Sequence, residues 1–538
     1  MVRSFGEFAK HFGGLRADSP MTYAVQDFFD NGGGLALIVR LFEGSAEAGT
    51  ASIQHAPQAP ASGALSAEAQ GAKAALERAE SGLTKAQAGL AAAKDAESDA
   101  SAGAARKAAS AKTQAAEKAV AAAQTNVGEQ QVILANATGG VTLNLVAANA
   151  GSWGGRITYS TNTVGINSTV RDRFSTDAWD AADLFNLTLS RQLGNGRTAK
   201  EEYANVSLNA NAGVRSLGHI LGTKSQLARL ASKASNRSGA DSGKLSTDTY
   251  TEGLELLERV DLFNILCIPP DTRDGDTSAS VYSSALALCA KRRATLVVDP
   301  PMSWEDNVEG LTADRFATDL GISPASEATR HAVVYFPRIV RPDPLHGDYD
   351  MAAPACGAIA GIFARTDAAS GVWKAPAGMG AGVNGATGLS YKLTDAENGL
   401  LNAQGINGIR SFTGTGPVLW GARTMRGSDQ LSDDYQYLPI RRLADYMEET
   451  LLRNTKWAVF QSNNQGLWTA LTATVEAFMR GLAAQGAFAG GSYFVKCDSS
   501  TTSKDDIDKG VVNMVIGYAP LKPAEFVILY LQQSAGGE

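Results

Sequence analysis

Apolar residues recur along the chain in two rhythms, one helical and one extended. Tyr23, Val25, Phe28 and Phe29 sit at helical spacing. Asn31 and Gly32 follow at once and suit a helix C-cap, where φ can be positive. Residues 35–41 form a short apolar run that predicts a buried strand. "YTEGLELLERVDLFNILCIPP" (250–270) reads as helix, turn, buried strand and proline stop, and "VYSSALALCAKRRATLVVDPP" (281–301) repeats that order. Two helix-to-strand units predict an α/β layer with a parallel component. "HAVVYFPRIVRPDP" (331–344) offers a third strand, and the segment from Met351 a short apolar helix and a loop. In the last third, residues 440–490 read as helix, strand, turn, helix. Leu443, Met447 and Leu451 share one helix face, and Val475, Phe478, Met479 and Leu482 share another. Three strand candidates close the chain: "SYFVKCD", "GVVNMVIGYAP" and "EFVILYLQQ" (525–533). A terminal strand this apolar must pair or become an adhesive edge.

One segment breaks the pattern. Residues 61–124 are largely Ala with scattered Glu, Lys, Gln, Ser and Gly. Leu76, Leu83 and Leu90 fall seven apart, a heptad whose alanines make a thin seam. Two readings stand: a helical hairpin turning near "SDASAGA" (98–104), or a disordered spacer. After it, "QVILANATGGVTLNLVAANAGSWGGRITYST" (131–161), "DLFNLTLSRQL" and "YANVSLN" predict strands and turns.

Composition narrows the function classes. The 538 residues suffice for several domains, and a hydrophobic content of 44% is ordinary for a globular protein. The net charge of −7 gives no global basic surface for nucleic acid or an anionic membrane. The four cysteines, Cys267, Cys289, Cys356 and Cys497, are far apart and fit buried thiols in a reducing compartment. "MVRSFGEFAKHF" has no apolar signal core, so the expectation is a cytoplasmic product or one exported without a standard signal.

Candidate chemistry is sparse. The glycines of "DFFDNGGGLALIVRLFEG" (27–44) follow a helix and precede a strand, the reverse of a phosphate loop. The five histidines, His11, His55, His219, His331 and His346, have no partner at metal-ligand spacing, and no GxSxG elbow occurs. No catalytic residue, cofactor or metal is therefore expected. Basic and acidic groups instead segregate over a few residues at Arg441 and Arg442 followed by Asp445, Glu448 and Glu449. Arg423 lies near Trp420, and Arg365 two residues before Asp367. Such pairs suit either an ordinary subunit surface or contacts between subunits, where Arg and aromatics are favoured.

The C-terminal third carries "GVWKAPAG" (371–378), "LNAQGINGIRSF" (401–412), "GTGPVLWGARTM" (414–425), "YLPIRRLADYMEETL" (437–451), "KWAVFQSNNQGLW" (456–468) and "GYAPLKPAEFVILYLQQ" (517–533). In order and spacing this series resembles the contractile tail sheath family of phages and phage-tail-like injection systems. Weaker marks upstream include "SFGEFAKHFGG" and "GLELLERVDLFNILCIP". The family's "PGVYVEE"-like start and N-terminal arm are not matched, which suggests a truncated start or one of several paralogues. The resemblance implies an α/β (mixed α+β) sheath core with a C-terminal helix–strand domain, an inserted β-rich domain and an Ala-rich helical insertion. It divides the chain into an N-terminal part of the core (1–55), the Ala-rich insertion (56–125), a middle β-rich and α/β region (126–350) and a C-terminal core with a terminal arm strand (351–538).

The same resemblance implies a structural subunit, not an enzyme, that polymerises around an inner tube and contracts to drive the tube through a target membrane. Its implied partners are other copies or paralogues of the sheath protein, the inner tube protein, and baseplate and terminator proteins, without direct nucleic-acid binding. A baseplate or other non-contractile tail component, or an α/β enzyme, are the competing readings. The interface candidates are Arg441 and Arg442, expected to meet an acidic surface on the tube or a neighbouring core, with Asp445, Glu448 and Glu449 on the same helix. The terminal strand, Glu525, Phe526, Val527, Ile528, Leu529 and Tyr530 at its start, is expected to pair outside its own core.

Overall fold

The computed structural model describes residues 1–45, 49–55, 67–98, 104–137, 143–175, 179, 181–192, 198–232 and 236–525. These divide into two compact units. The first comprises Met1–Ala9, Gly14–Leu41 and the chain from Ser246 onward; the second comprises Lys10–Gly13 and Phe42–Leu245. The sequence boundaries at 55 and 350 fall inside these units instead of between them.

The first unit is built on a five-stranded sheet. Its strands are β1 (Ile265–Cys267), β2 (Thr295–Val298), β3 (Ala332–Phe336), β6 (Asn407–Phe412) and β7 (Gly416–Trp420), in the order β7-β6-β3-β2-β1. The first four are mutually parallel where they meet, and β7 returns antiparallel as a hairpin on β6. The runs "TLVV" and "AVVYF" are buried at every position, and largely apolar, because both faces of the sheet are covered. Leu296, Val298, Val334 and Phe336 point into one layer with Tyr282, Leu286, Trp304 and Phe316. Val297, Val333 and Tyr335 point into the other with Ile359, Ile362 and Phe363. The helices that cover the sheet include α1 (Pro20–Asp30), α2 (Thr247–Glu258), α3 (Ala279–Arg292) and α4 (Cys356–Ser370). Between β3 and α4, β4 (Ile339–Asp343) and β5 (Tyr349–Ala353) belong to a separate three-stranded antiparallel sheet, with Gly388–Leu389 on the other side of β4. The single strand expected over 331–344 is thus two strands in two sheets, because Pro337 has no amide to continue the ladder.

Two glycines set how closely α1 and α4 cross. A Cβ at Gly357 would stand 2.1 Å from the Ala24 carbonyl oxygen, and one at Gly361 2.4 Å from that of Phe28. The α1 helix stops at the expected place: Asn31 donates its backbone N–H to the Asp27 carbonyl, and Gly32 takes a φ of 100°. Residues 35–41 form no strand; Ala36 makes a single bridge to Val2, which corrects the strand expectation.

The C-terminal part of this unit is an antiparallel helical hairpin, α5 (Leu438–Asn454) and α6 (Gln465–Ala484), followed by a two-stranded ribbon, β8 (Phe488–Lys496) and β9 (Val515–Pro520). Leu443 and Met447 pack on Val475, Met479 and Leu482, and the inner face of the ribbon (Tyr493, Val495, Ile516, Tyr518) closes that core. The segment 456–460, expected as a strand, is a 3-10 turn (Lys456–Ala458) directly after α5, with Trp457, Val459 and Phe460 exposed.

The second unit holds a four-stranded sheet of Gln54–His55, Ile157–Asn162, Phe185–Gln192 and Thr198–Val206. Its core is Ile157, Tyr159, Phe185, Leu187, Leu189, Val206, Leu217 and Leu221. The Ala-rich stretch forms two long helices, Ala67–Ser98 and Ala104–Ala137, packed along one another. Ala72, Leu76, Ala79 and Val127 are buried between them and Leu83 is partly so, a seam as thin as the alanines predict. Thr113 Oγ1 also donates to the Ala93 carbonyl at 3.3 Å. The second helix passes the expected boundary at 125 and takes in Val132–Leu134, read above as strand. An apolar run of three inside a helix-forming context does not distinguish the two states.

His55 and Leu143, the described residues that flank the hairpin's segment outside its two helices, both meet one tyrosine. His55 stacks on Tyr159, with ring centroids 4.5 Å apart and its Nδ1 3.0 Å from the Tyr159 carbonyl; the Tyr159 hydroxyl accepts from Leu143 N at 2.7 Å. Replacing residues 56–142 with a short Gly/Ser linker is therefore expected to leave folding intact, read as an unchanged thermal transition of the remaining chain. A cut at 125 would instead strand the last turns of the second helix and lower expression.

Candidate assembly surface

The charged residues singled out on α5 lie in one network inside the first unit. Arg441 and Asp445 are one helical turn apart, so their side chains meet on one face. Arg441 Nη2 reaches Asp445 Oδ1 and Glu448 Oε1 at 2.8 Å each, and its guanidinium lies 4.4 Å from the Tyr435 ring centroid. Arg442, one residue on, faces α4 and makes a two-pronged pair with Asp367 at 2.8 and 2.5 Å, over the Phe363 ring. Only 8% and 5% of the two arginine side chains is exposed. Within the subunit both arginines are internal struts, desolvated and paired.

The outer residues of the helix extend the network. Arg293, at the left-handed C-cap of α3, donates to Glu448 at 2.9 Å and approaches Glu449 at 3.5 Å. Arg453 joins Glu449 to Asp261. Burial raises the Glu448 pKa, but hydrogen bonds and charge from Arg441 and Arg293 more than reverse this and hold it below the ordinary value. Asp445 is also 3.4 Å from His331 Nδ1. Of the candidates on α5, Glu448 is the most exposed, at about half.

A second strut fixes the last described residue. The Arg423 side chain is 4% exposed; Nε and Nη2 grip Glu525 at 2.8 and 2.5 Å, and Nη1 reaches Asp429 at 2.7 Å and the Gly427 carbonyl at 3.0 Å. Asn402 and Tyr437 also donate to Glu525. Glu525 is thus held by a partner within its own subunit. Phe526, Val527, Ile528, Leu529 and Tyr530 lie outside the described residues. Arg423 was visible in sequence only as a neighbour of Trp420, and nothing in the sequence pointed to its partner about a hundred positions away.

Two further carboxylates act as hubs. Asp433 binds Arg330 and Arg426, and Asp343 binds Tyr23, Arg273, His346 and the Leu345 amide. Burial pushes both pKa values up, and the donors around them outweigh it, so both stay below the usual carboxylate range. A carboxylate depressed in the folded state contributes stability above its unfolded pKa, about 3.9, and that stability is lost as pH falls through the folded value. Urea midpoints should therefore drop steeply below about pH 4. An Asp343→Asn, Asp433→Asn variant should be weaker at pH 7 and should lose less between pH 5 and 3. An equal loss in both proteins would contradict this.

The ribbon β8–β9 has the other notable surface. Among the described residues neither of its outer edges pairs with another strand. Phe494 and Val515, on the face turned from the core, are about half exposed. No group of three or more potential metal ligands occurs among the described residues, and no helix there is long and apolar enough to cross a membrane.

The first unit is thus an α/β core braced by internal ion pairs, carrying a helical hairpin and a ribbon whose outer edges are unpaired among the described residues. Comparison with known families gives this chain's own. The phage tail sheath protein central domain matches residues 243–425 and the phage tail sheath C-terminal domain residues 430–534. Together they take in more than half of the chain, which belongs to the phage tail sheath protein family. Its similarity to the tail sheath protein of Vibrio phage KVP40 is 24% identity over 244 residues, 45% of this chain and 35% of that one. To the tail sheath protein of Enterobacteria phage T4 it is 25% over 260 residues, 47% of this chain and 37% of that one. The chain thus spans little more than a third of the length of these relatives. A solved sheath complex of an extracellular contractile injection system (PVC), in the contracted state, is 28% identical, with 53% of this chain and 75% of that one covered and a TM-score of 0.43.

Proposed function

We propose that this chain is the repeating subunit of a contractile sheath, polymerising around an inner tube and contracting to drive the tube through a target membrane. The observation that carries the reading is the successive match of central and C-terminal sheath domains over 243–425 and 430–534, which together hold the five-stranded sheet, hairpin and ribbon. The ribbon supports it physically. A two-stranded sheet whose outer edges are unpaired among the described residues can take strands from neighbouring chains through backbone hydrogen bonds, whatever their side chains. Such links hold neighbours while rigid cores rotate, and the dense ion-pair bracing of α5 makes each core rigid.

The work comes from two packings of one fold separated by a free-energy gap in each subunit, summed over many subunits. Other copies or paralogues of the sheath protein, an inner tube protein, and baseplate and terminator proteins are the partners. Co-expression with a candidate tube protein, followed by negative-stain microscopy, tests the reading. Hollow striated cylinders enclosing a tube support it; discs or closed complexes without cylinders would favour a non-contractile tail component.

A further inference from the structure

The loop between α5 and α6 holds an aromatic side chain out in solvent. Phe460 is fully exposed, and the neighbouring Trp457 and Val459 are 44% and 61% exposed. Phe460 also takes a φ of 67°, a left-handed conformation that non-glycine residues adopt only where the surrounding structure imposes it. Here the turn is fastened on both sides. Thr455 Oγ1 donates to the Leu451 carbonyl at 2.8 Å, the Gln461 amide to the Ala458 carbonyl at 3.1 Å, and Asn463 bridges Trp468 Nε1 and the Val511 carbonyl. Phe460 is therefore a pre-organised apolar knob.

The same hairpin carries a groove. It has a volume of about 410 Å³ and opens between α4, α5 and α6, lined by Trp373, Tyr446, Phe478, Leu482 and Gln485, with Gly481 in its wall. The Tyr446 and Phe478 rings stand 6.0 Å apart. A Cβ at Gly481 would meet nothing within 4 Å. Knob and groove cannot meet in one molecule: Tyr446 sits eight residues before the end of α5, roughly 12 Å along the helix axis from where the loop begins.

We propose that Phe460 of one copy seats in the Trp373–Tyr446–Phe478 groove of the next. A contact between two different patches of identical chains is head-to-tail, and it builds rings or helical filaments instead of closed pairs. This is the propagation a sheath needs, so the inference rests on the sheath reading and assigns a contact within it.

Two substitutions test it without disturbing the subunit. Phe460→Asn removes the ring and keeps a residue that tolerates positive φ. Gly481→Leu fills the groove and improves helix propensity. Each is expected to lower the polymerised fraction, read by sedimentation, at least tenfold with an unchanged thermal transition, and the double variant to be no worse than either. Loss with only one of the two would mean that knob or groove serves another partner, and would overturn the proposal.

A covalent readout is independent of the tube. Chains carrying both Phe460→Cys and Gln485→Cys should give a ladder of multimers on oxidation. A mixture of the two single variants should stop at dimers, and either single variant alone should stay monomeric. Monomers throughout would overturn the contact. If wild-type chains form cylinders while the ladder is absent, the sheath reading stands and this inference fails; if they form none, the sheath reading fails.

Discussion

Asp367→Ala should destabilise the subunit by about 3–5 kcal/mol, the range for removing one partner of a buried ion pair. The reason is the asymmetry of burial across the pair. Arg442 is 5% exposed and Asp367 21%. Taking away the aspartate strands a guanidinium that water cannot reach, beside the Phe363 ring. Arg442→Met removes the buried charge, keeps most of the volume and leaves a carboxylate that regains water. It should therefore cost clearly less, roughly 1–3 kcal/mol. Combining the two should cost less than their sum. Denaturant midpoints at constant slope measure all three. Equal penalties, or additivity, would mean that the pair is not the strut the geometry describes.

The second large effect concerns assembly. Ending the chain after Glu525 should leave a folded subunit that fails to polymerise, whereas ending it after Pro523 should also destabilise the fold. The difference is Arg423. It is buried, and two of its nitrogens are satisfied by Glu525. Removing residues 526–538 spares that pair while deleting the apolar terminal segment "FVILYLQQ", proposed to add to a neighbour's sheet. Removing Glu525 as well leaves the guanidinium with Asp429 and the Gly427 carbonyl alone. Thermal melts and sedimentation of both truncations separate the two roles. Cylinders formed by the first truncation would sink the arm assignment.

What could be read from the sequence follows from which interactions are local. The helix-to-strand units at 250–301 were legible because a strand buried on both faces leaves a continuous apolar run bounded by prolines. The stop of α1 was legible in Asn31 and Gly32, and the hairpin faces in the fourfold spacing of Leu443, Met447 and Leu451. The ion-pair partners were not. Arg293 meets Glu448, and Arg453 meets Asp261, across more than 150 positions of chain. A run such as "RRLADYMEETL" therefore looks like a charged surface until the opposing helix is placed. Short apolar runs misled in both directions: Val132–Leu134 belongs to a helix, and residues 456–460 to a turn that leaves Trp457, Val459 and Phe460 exposed. The groove at Trp373 is assembled from three separate helices or helix ends and had no sequence mark at all.

The most direct test of the central claim is the stroke itself. Sheaths assembled from this chain and its tube protein would be imaged before and after a mild denaturant pulse, with length and outer diameter measured on the same preparation. The account predicts cylinders that become shorter and wider together, with the subunit still folded by circular dichroism. Cylinders that keep their length and diameter until the subunit unfolds would contradict it.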